Sequence, residues 1–440
     1  AGDPVRVKTL NANGVISAIY ADDIEVQIGA LRTRVRLNEI ERLKTADKPI
    51  EQIEESSRPA PRAESVGMEL DLRGLNGEEA MPKVEDYLDR HGVPFERVLD
   101  PTGTKACLWA TVGPRDVPGY VLSGHTDTVP VEDQPWTTDP FELTEIGTRL
   151  YGRGTSDMKG FAAVCLSKIG AMRAAGLKRP IHLCLSHDEE VGCIGVRNAL
   201  ERIDELVPVT PLAAFVGEPT NMAVVVAHKA KWSYRVTVHG RSCHSSLAPQ
   251  GVNAIEAAME VIAKIRDIGR RFESEGARDP LYDIPFSTAH VGTIHGGTAL
   301  NIVPERCTFE FEFRMLAGID HQPFEDELRA FVATEVEPWM KARDPATGVD
   351  IDLVNGFPGF DTPPESDATV LAKRLAGRND HTKVAYGTEA GLFVAMGRMP
   401  TVVVGPGSIG QAHVPDEFIE KSELEKCGQF LDRLIEHCRT

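Results

Sequence analysis

Apolar and polar positions alternate in short bursts over residues 5–43: Val5-Arg-Val-Lys, Val15-Ile-Ser-Ala-Ile, Ile24-Glu-Val-Gln-Ile and Arg34-Val-Arg-Leu. A period of two puts successive side chains on opposite faces of a strand, so residues 1–43 are predicted to form a small all-β module, with Asn13-Gly14 as its hairpin signal. From Thr45 to Val66 the periodicity gives way to Glu, Ser, Pro and Arg. Such a stretch buries too little apolar surface to offset its ordering entropy, and residues 44–66 read as a disordered linker. Met68-Glu-Leu-Asp-Leu-Arg-Gly then reads as a strand. Gly77 to Asp89 reads as an amphipathic helix, with Ala80, Val84, Tyr87 and Leu88 on one face and Gly92 as its stop.

Beyond Val93 apolar strands alternate with helical stretches, the pattern of an α/β sheet with helices on both faces. The strands are Ala106–Val112, Gly119–Gly124, Ile181–Ser186 and Ala213–Val216, and one helix is predicted from Lys159 through Ala175. Residues 230–354 change period: Lys231-Trp-Ser-Tyr-Arg-Val-Thr-Val-His and Cys307-Thr-Phe-Glu-Phe-Glu-Phe-Arg alternate strictly, with the helix Asn253–Arg270 between them. That is the signature of an α+β insertion with a half-exposed antiparallel sheet. The first pattern resumes at Tyr386 and Thr401–Val404. The predicted class is therefore α/β, a catalytic domain with a mixed sheet (67–229 and 355–440) interrupted by an α+β domain (230–354) and preceded by a small β-barrel.

Composition narrows the function classes. The 440-residue chain has room for more than one core. A net charge of -18 argues against nucleic-acid binding by the chain as a whole. A local patch at Arg6, Lys8, Arg32, Arg34 and Arg36 is the one exception. Eight cysteines are scattered without C-x-x-C pairs, as expected of reduced thiols in a cytosolic protein. The start has no basic flank before an apolar core, and no apolar run reaches about 18 residues. Neither a signal peptide nor a membrane span is expected, and the default address is the cytoplasm.

Five segments carry candidate chemistry, each where a strand-like run gives way to a loop: Ser123-Gly-His-Thr-Asp-Thr-Val-Pro, Gly154-Thr-Ser-Asp-Met-Lys-Gly, Ser186-His-Asp-Glu-Glu-Val-Gly, Val216-Gly-Glu-Pro-Thr and Gln411-Ala-His-Val-Pro. A hydrolytic metal needs imidazole and carboxylate ligands with a position left open for water. His125 is a candidate ligand, and Asp127 a carboxylate that could orient its ring; a solvent-facing turn reads equally well. Asp157 is either a ligand or the N-terminal cap of the following helix. Glu189-Glu190 are adjacent carboxylates that repel unless a cation or proton lies between them. Glu218 and His413 complete the set. His244, in Gly240-Arg-Ser-Cys-His-Ser-Ser, is either an oxyanion stabiliser or a plain loop residue. His182, His187, His228, His239, His290 and His295 read as satisfied structural residues.

From about Arg90 to Thr440 the chain resembles the acetylornithine deacetylase branch of the dinuclear zinc peptidase and deacylase family, which also holds succinyl-diaminopimelate desuccinylases and aminoacylases. The blocks SGHTDTVPV, YGRGTSDMKG, HDEEVG, GEPT, GRSCHSS, GGTALNIVPE and YGTEAG carry it, in order. The resemblance implies two zinc ions, for which cobalt can substitute. Asp157 would bridge them, with His125 and Glu218 on one and Glu190 and His413 on the other, and Glu189 would be the general base. It also implies a cis Asp157–Met158 peptide, and a 230–354 domain acting as lid and homodimerisation surface, with His244 reaching the neighbouring subunit's site. Asn301 and Arg314 match lid positions that hold a substrate carboxylate, an Arg fork suiting a carboxylate well. Thr388 and Glu389 match a loop near the acyl pocket, where Glu389 would either greet a basic side chain or cap a helix.

Residues 1–89 resemble instead the KOW-like barrel and the opening of the Smr nuclease domain of MutS-related recombination-suppressor proteins, through Gly2-Asp-Pro-Val-Arg-Val, Val26-Gln-Ile-Gly-Ala-Leu-Arg-Thr-Arg-Val and Glu69-Leu-Asp-Leu-Arg-Gly-Leu. The match stops near Tyr87, so nuclease activity is not expected, and an apparent fusion is inferred in which helix 77–89 covers an apolar face of the catalytic sheet. The leading expectation is deacetylation of N-acetyl-L-ornithine or a related N-acyl amino acid, a step of arginine biosynthesis. Alternatives are desuccinylase or aminoacylase activity and, in another class, a nucleic-acid-associated fusion with an inactive hydrolase half.

Overall fold

The computed structural model describes five strands within residues 4–42 as backbone, residues 70–72 and 75, and the chain from Gly77 to Thr440. Two units are distinguished, Ala1–Val66 and Gly67–Thr440. In the first, Pro4–Val7, Ala12–Ile19, Asp23–Ile28, Leu31–Arg36 and Ile40–Arg42 form one antiparallel sheet. Pro4–Val7 is bonded on both sides, by Ala12–Ile19 and by Ile40–Arg42, so the meander folds its last strand back beside its first. Asn13 and Gly14 are not the hairpin turn. They pair with Arg6 and Val5 inside the second strand. The predicted linker, residues 44–66, lies outside the described residues.

The strand predicted from Met68 is absent over Leu70–Leu72, which joins no ladder. Leu70 and Leu72 instead pack, partly buried, against the main core of the second unit. The helix Gly77–Arg90 follows, with Gly92 in the left-handed region at its end. Val84, Tyr87 and Leu88 are buried in that core, and the Tyr87 hydroxyl donates to the Leu166 carbonyl at 3.2 Å. The helix thus covers one face of the catalytic sheet, as an amphipathic stripe dictates.

That sheet has nine strands. Four neighbours, Thr401–Val403, Ala213–Val216, Tyr120–His125 and Ile181–Ser186, run parallel, and Ala106–Val112 and Phe95–Leu99 continue it antiparallel. Continuous apolar runs such as Ala213–Val216 are what a strand covered on both faces requires. One face packs on Lys159–Ser167, Asp367–Ala376 and Lys421–Cys438, the other on Gly195–Glu201 and Ala390–Ala395. The predicted helix 159–175 is two pieces, Lys159–Ser167 and Ile169–Ala174. Tyr386 lies in a bend after the strand Thr382–Val384 rather than in a strand.

The chain leaves this sheet at His228 and starts the inserted sheet at Ala230. The insertion is a four-stranded antiparallel sheet backed by the helix Ala254–Ser274, whose N-cap Asn253 accepts from the Ile255 and Glu256 amides. Its last strand, Gly348–Phe357, runs past the boundary predicted at 354. Among the described residues no helix is long and apolar enough to cross a membrane.

Two buried histidines make a stability prediction. The His182 ring meets the Thr111 hydroxyl at 3.0 Å, and His228 lies edge-on to Phe360. Burial pushes each down to about 4, aided by the Arg115 and Arg314 charges respectively. The unfolded chain protonates them near pH 6.5 and the folded chain near 4, so their contribution is intact above about pH 6.5 and is lost progressively as pH falls towards 4. Between those values the pair is expected to add up to about 2.7 kcal/mol per pH unit to the acid slope of unfolding free energy. Denaturant titrations of the wild type and of a His182→Gln/His228→Asn variant from pH 7 to 4.5 check this, and equal slopes would refute it.

Candidate metal centre

Three adjacent parallel strands end at the same edge of the sheet, and each delivers a candidate ligand there. Tyr120–His125 ends on His125, Ile181–Ser186 leads into Glu189 and Glu190, and Ala213–Val216 leads into Glu218. After Tyr120–His125 the chain places later strands on both sides of it, which opens a crevice at the carboxyl ends of an α/β sheet. The fourth parallel strand, Thr401–Val403, feeds the glycine-rich run before His413.

Asp157 holds the centre together. Its Oδ1 lies 3.1 Å from His125 Nε2 and its Oδ2 3.2 Å from His413 Nε2. The alternative of a helix cap is set aside, because the helix beginning at Lys159 has Met158 at its N-cap position and no side-chain cap bond. The Asp157–Met158 peptide is cis. His413 Nε2 is also 3.1 Å from Glu190 Oε2. His125 and Glu218 are buried, whereas His413 is about half exposed at 53%.

Asp127 orients His125 differently from expectation. The ring Nδ1 meets the Asp127 backbone carbonyl at 2.9 Å, while the nearer carboxylate oxygen stands at 3.6 Å. With Nδ1 donating to that carbonyl, Nε2 keeps its lone pair for the centre. The Asp127 carboxylate instead accepts the Glu190 amide at 3.1 Å, tying two ligand loops together.

Two overlapping groups, His125–Glu189–Glu218 and His125–Asp157–Glu190, each bring their donor atoms within 4.8 Å of one another. Glu189 thus stands among the ligands, not behind them. Burial pushes the Glu189 and Glu218 carboxyls up, Glu189 to about 8, with neighbouring carboxylates adding to it. The His413 ring is lifted to about 10 by Asp157 and Glu190. Four carboxylates converging on two imidazoles repel one another unless cations lie among them, so the donor set fits a pair of hard or borderline divalent ions.

The remaining candidate residues have the following partners within the chain. Glu389 is buried, its oxygens accepting the Ser186 hydroxyl at 2.5 Å and the Ser123 hydroxyl at 3.1 Å. It occupies the N-cap position of the helix Ala390–Ala395 but makes no side-chain cap bond there. The Thr388 hydroxyl accepts from the Ala390 amide at 3.0 Å, at the start of that helix. Arg314 donates its Nε to Glu312 at 2.8 Å and its Nη2 at 3.4 Å. His244 and Asn301 lie on touching segments of the inserted domain, the Ser245 amide donating to the Asn301 carbonyl at 2.9 Å, and both side chains are exposed. Within this chain His244 bonds Ser246, at 2.8 Å between Nδ1 and the hydroxyl. Sequence reasoning missed Ser123, Ser186, Arg153 and Glu417. Of these only Glu417, four residues after His413, carried a local signal.

Residues 121–437 match the model of peptidase family M20/M25/M40, and residues 1–40 match the MutS2 and Smr-associated SH3 domain. The acetylornithine deacetylase of Photorhabdus laumondii is 36% identical over 348 residues, covering 78% of this chain and 87% of the relative. An M20 family metallo-carboxypeptidase from Sulfolobus solfataricus shares the fold with a TM-score of 0.64 at 16% identity, over 82% of this chain and 95% of its own. The Bacillus subtilis YXEP protein, described as a dinuclear metal binding peptidase of the M20 family, superposes with a TM-score of 0.57 at 17% identity, over 82% and 92%.

Proposed function

The chain belongs to peptidase family M20/M25/M40, a metal-dependent hydrolase of amides, and on that premise we propose that it deacetylates N-acetyl-L-ornithine to ornithine and acetate. The observation that carries the reading is Asp157 held between His125 and His413 at 3.1 and 3.2 Å, in a chain whose curated relative is an acetylornithine deacetylase. His125, Asp157 and Glu218 would hold one ion and Asp157, Glu190 and His413 the other, with zinc the metal that this nitrogen and oxygen set suits. When bound, such ions polarise the amide carbonyl and acidify water. Glu189 would be the proton carrier: burial and neighbouring carboxylates hold its carboxyl protonated in the metal-free chain, and cations beside it would favour the ionised form, which takes the proton of the attacking water and returns it to the departing amine. Asp127 keeps His125 in the tautomer that leaves Nε2 free.

His244 and Asn301 are exposed, and His244 bonds Ser246 of its own loop, which supports a homodimer in which the lid of one copy serves the site of the other. His244 would then donate to the developing oxyanion, and Asn301 and Arg314 would hold the substrate carboxylate. Sedimentation at assay concentration tests the dimer, and a monomer with full activity would remove it. The cytoplasm, where arginine is made, is the proposed location.

Release of free amine from N-acetylornithine tests the function. Turnover is expected to exceed that of N-succinyl-diaminopimelate, to fall to background after dialysis against a chelator, and to return with Zn²⁺ or Co²⁺. Activity that survives complete removal of metal would overturn the reading.

A further inference from the structure

Glu417 is a fully buried carboxylate that no ligand set uses. Its side chain is 0% exposed and pairs with Arg153, itself 2% exposed, at 2.8 Å. Its two oxygens accept three backbone amides of the loop that presents Asp157. Oε2 takes Gly154 at 3.0 Å, and Oε1 takes Ser156 at 2.8 Å and Asp157 itself at 3.1 Å. The Glu417 carbonyl takes a fourth amide, Gly152, at 3.0 Å. Arg153 extends the clamp, donating also to the Val414 carbonyl at 3.3 Å and to Gln134 Oε1 at 2.6 Å.

Successive amides pointing at one anion form a concave nest, and charge-assisted bonds to it are about twice as strong as neutral ones. The nest here is filled by the protein's own carboxylate. Glu417 lies on the same short segment as His413, and Asp157 and His413 face each other at 3.2 Å. Any shift of the Asp157 loop against the 413–417 segment would change that distance.

We propose that Glu417 is a positioning residue for the metal centre: it sets the Asp157 loop against the His413 segment, so that the bridging carboxylate and the His413 ring are in register before an ion arrives. The inference rests on the metal centre proposed above. A role confined to stability would lower unfolding temperature without changing the affinity of the folded protein for metal. A positioning role changes that affinity. Outer partners of ligands typically contribute about 10- to 100-fold in metal affinity.

Glu417→Gln leaves the Arg153 charge buried without its partner, a change that can prevent folding. The paired variant Arg153→Met/Glu417→Gln removes both charges. With either variant, provided its metal-free form unfolds cooperatively, competition against a chromogenic zinc chelator is expected to show at least one ion bound about 10- to 100-fold more weakly. Turnover should then recover towards wild type at high Zn²⁺, with KM for N-acetylornithine unchanged. A folded variant that binds two ions with wild-type affinity overturns the proposal.

Amide hydrogen exchange on metal-free wild-type protein decides the matter without any variant. Gly154, Ser156 and Asp157 amides protected before metal is added support the proposal, and free exchange that becomes slow only with Zn²⁺ overturns it. Wild-type protein that binds no zinc would instead sink the metal centre and leave the nest as a structural feature.

Discussion

Glu189→Ala is expected to lower kcat for N-acetylornithine by about 10²- to 10⁴-fold, the usual worth of a general acid-base group, while two equivalents of zinc stay bound. The separation follows from the geometry. The five proposed ligands are His125, Asp157, Glu190, Glu218 and His413, and His125, Asp157 and His413 hold one another without Glu189. Glu189 takes one bond from a neighbour, the Cys193 thiol donating to Oε1 at 3.2 Å, so its loss leaves little else unpaired. Initial rates combined with metal analysis of the same sample are the measurement. Zinc lost in parallel with activity would make Glu189 a ligand, and turnover within a few-fold of wild type would remove it from the mechanism.

Asp157→Ala is expected to act on the metal first and on turnover as a consequence. Both Asp157 oxygens are engaged, one by each imidazole, and its side chain is 7% exposed. No neighbouring carboxylate can take both places, since Glu190 meets His413 and Glu218 groups with His125 and Glu189. Binding of both ions should weaken together, and turnover should fall on the order of 10³-fold or more, because carbonyl polarisation and acidified water are lost at once. Chelator competition with Zn²⁺ reads the first effect and amine release the second. A variant that retains both ions at wild-type affinity would show that Asp157 does not bridge them. The pair of variants separates the proposed proton carrier from the proposed bridge: one is expected to keep metal without chemistry, the other to keep neither.

Much of the catalytic scaffold was legible along the chain because strand period and turn signals are local. Ala106–Val112, Ile181–Ser186 and Ala213–Val216 are observed with the bounds their apolar runs predict. The helix from Gly77 extends to Arg90, one residue beyond the predicted Asp89. Local signals also misled. Asn13-Gly14 has turn composition yet lies in a strand, since pairing with Arg6 and Val5 outweighs propensity. Leu70–Leu72 alternates like a strand but finds its burial against the core of the catalytic unit instead of in a ladder.

By itself the sequence singled out the candidate donors His125, Asp157, Glu189, Glu190, Glu218 and His413, whose residue types suit a metal centre. It could not determine what each buried carboxylate faces. Glu389 meets Ser123 across 266 positions, and Glu417 meets the Ser156 amide across 261. The same residue type became a strand clamp in one case and the filler of an amide nest in the other. Only the tertiary structure decided between those roles, because a buried carboxylate is stable only where donors converge on it, and convergence from distant segments leaves no period in the chain.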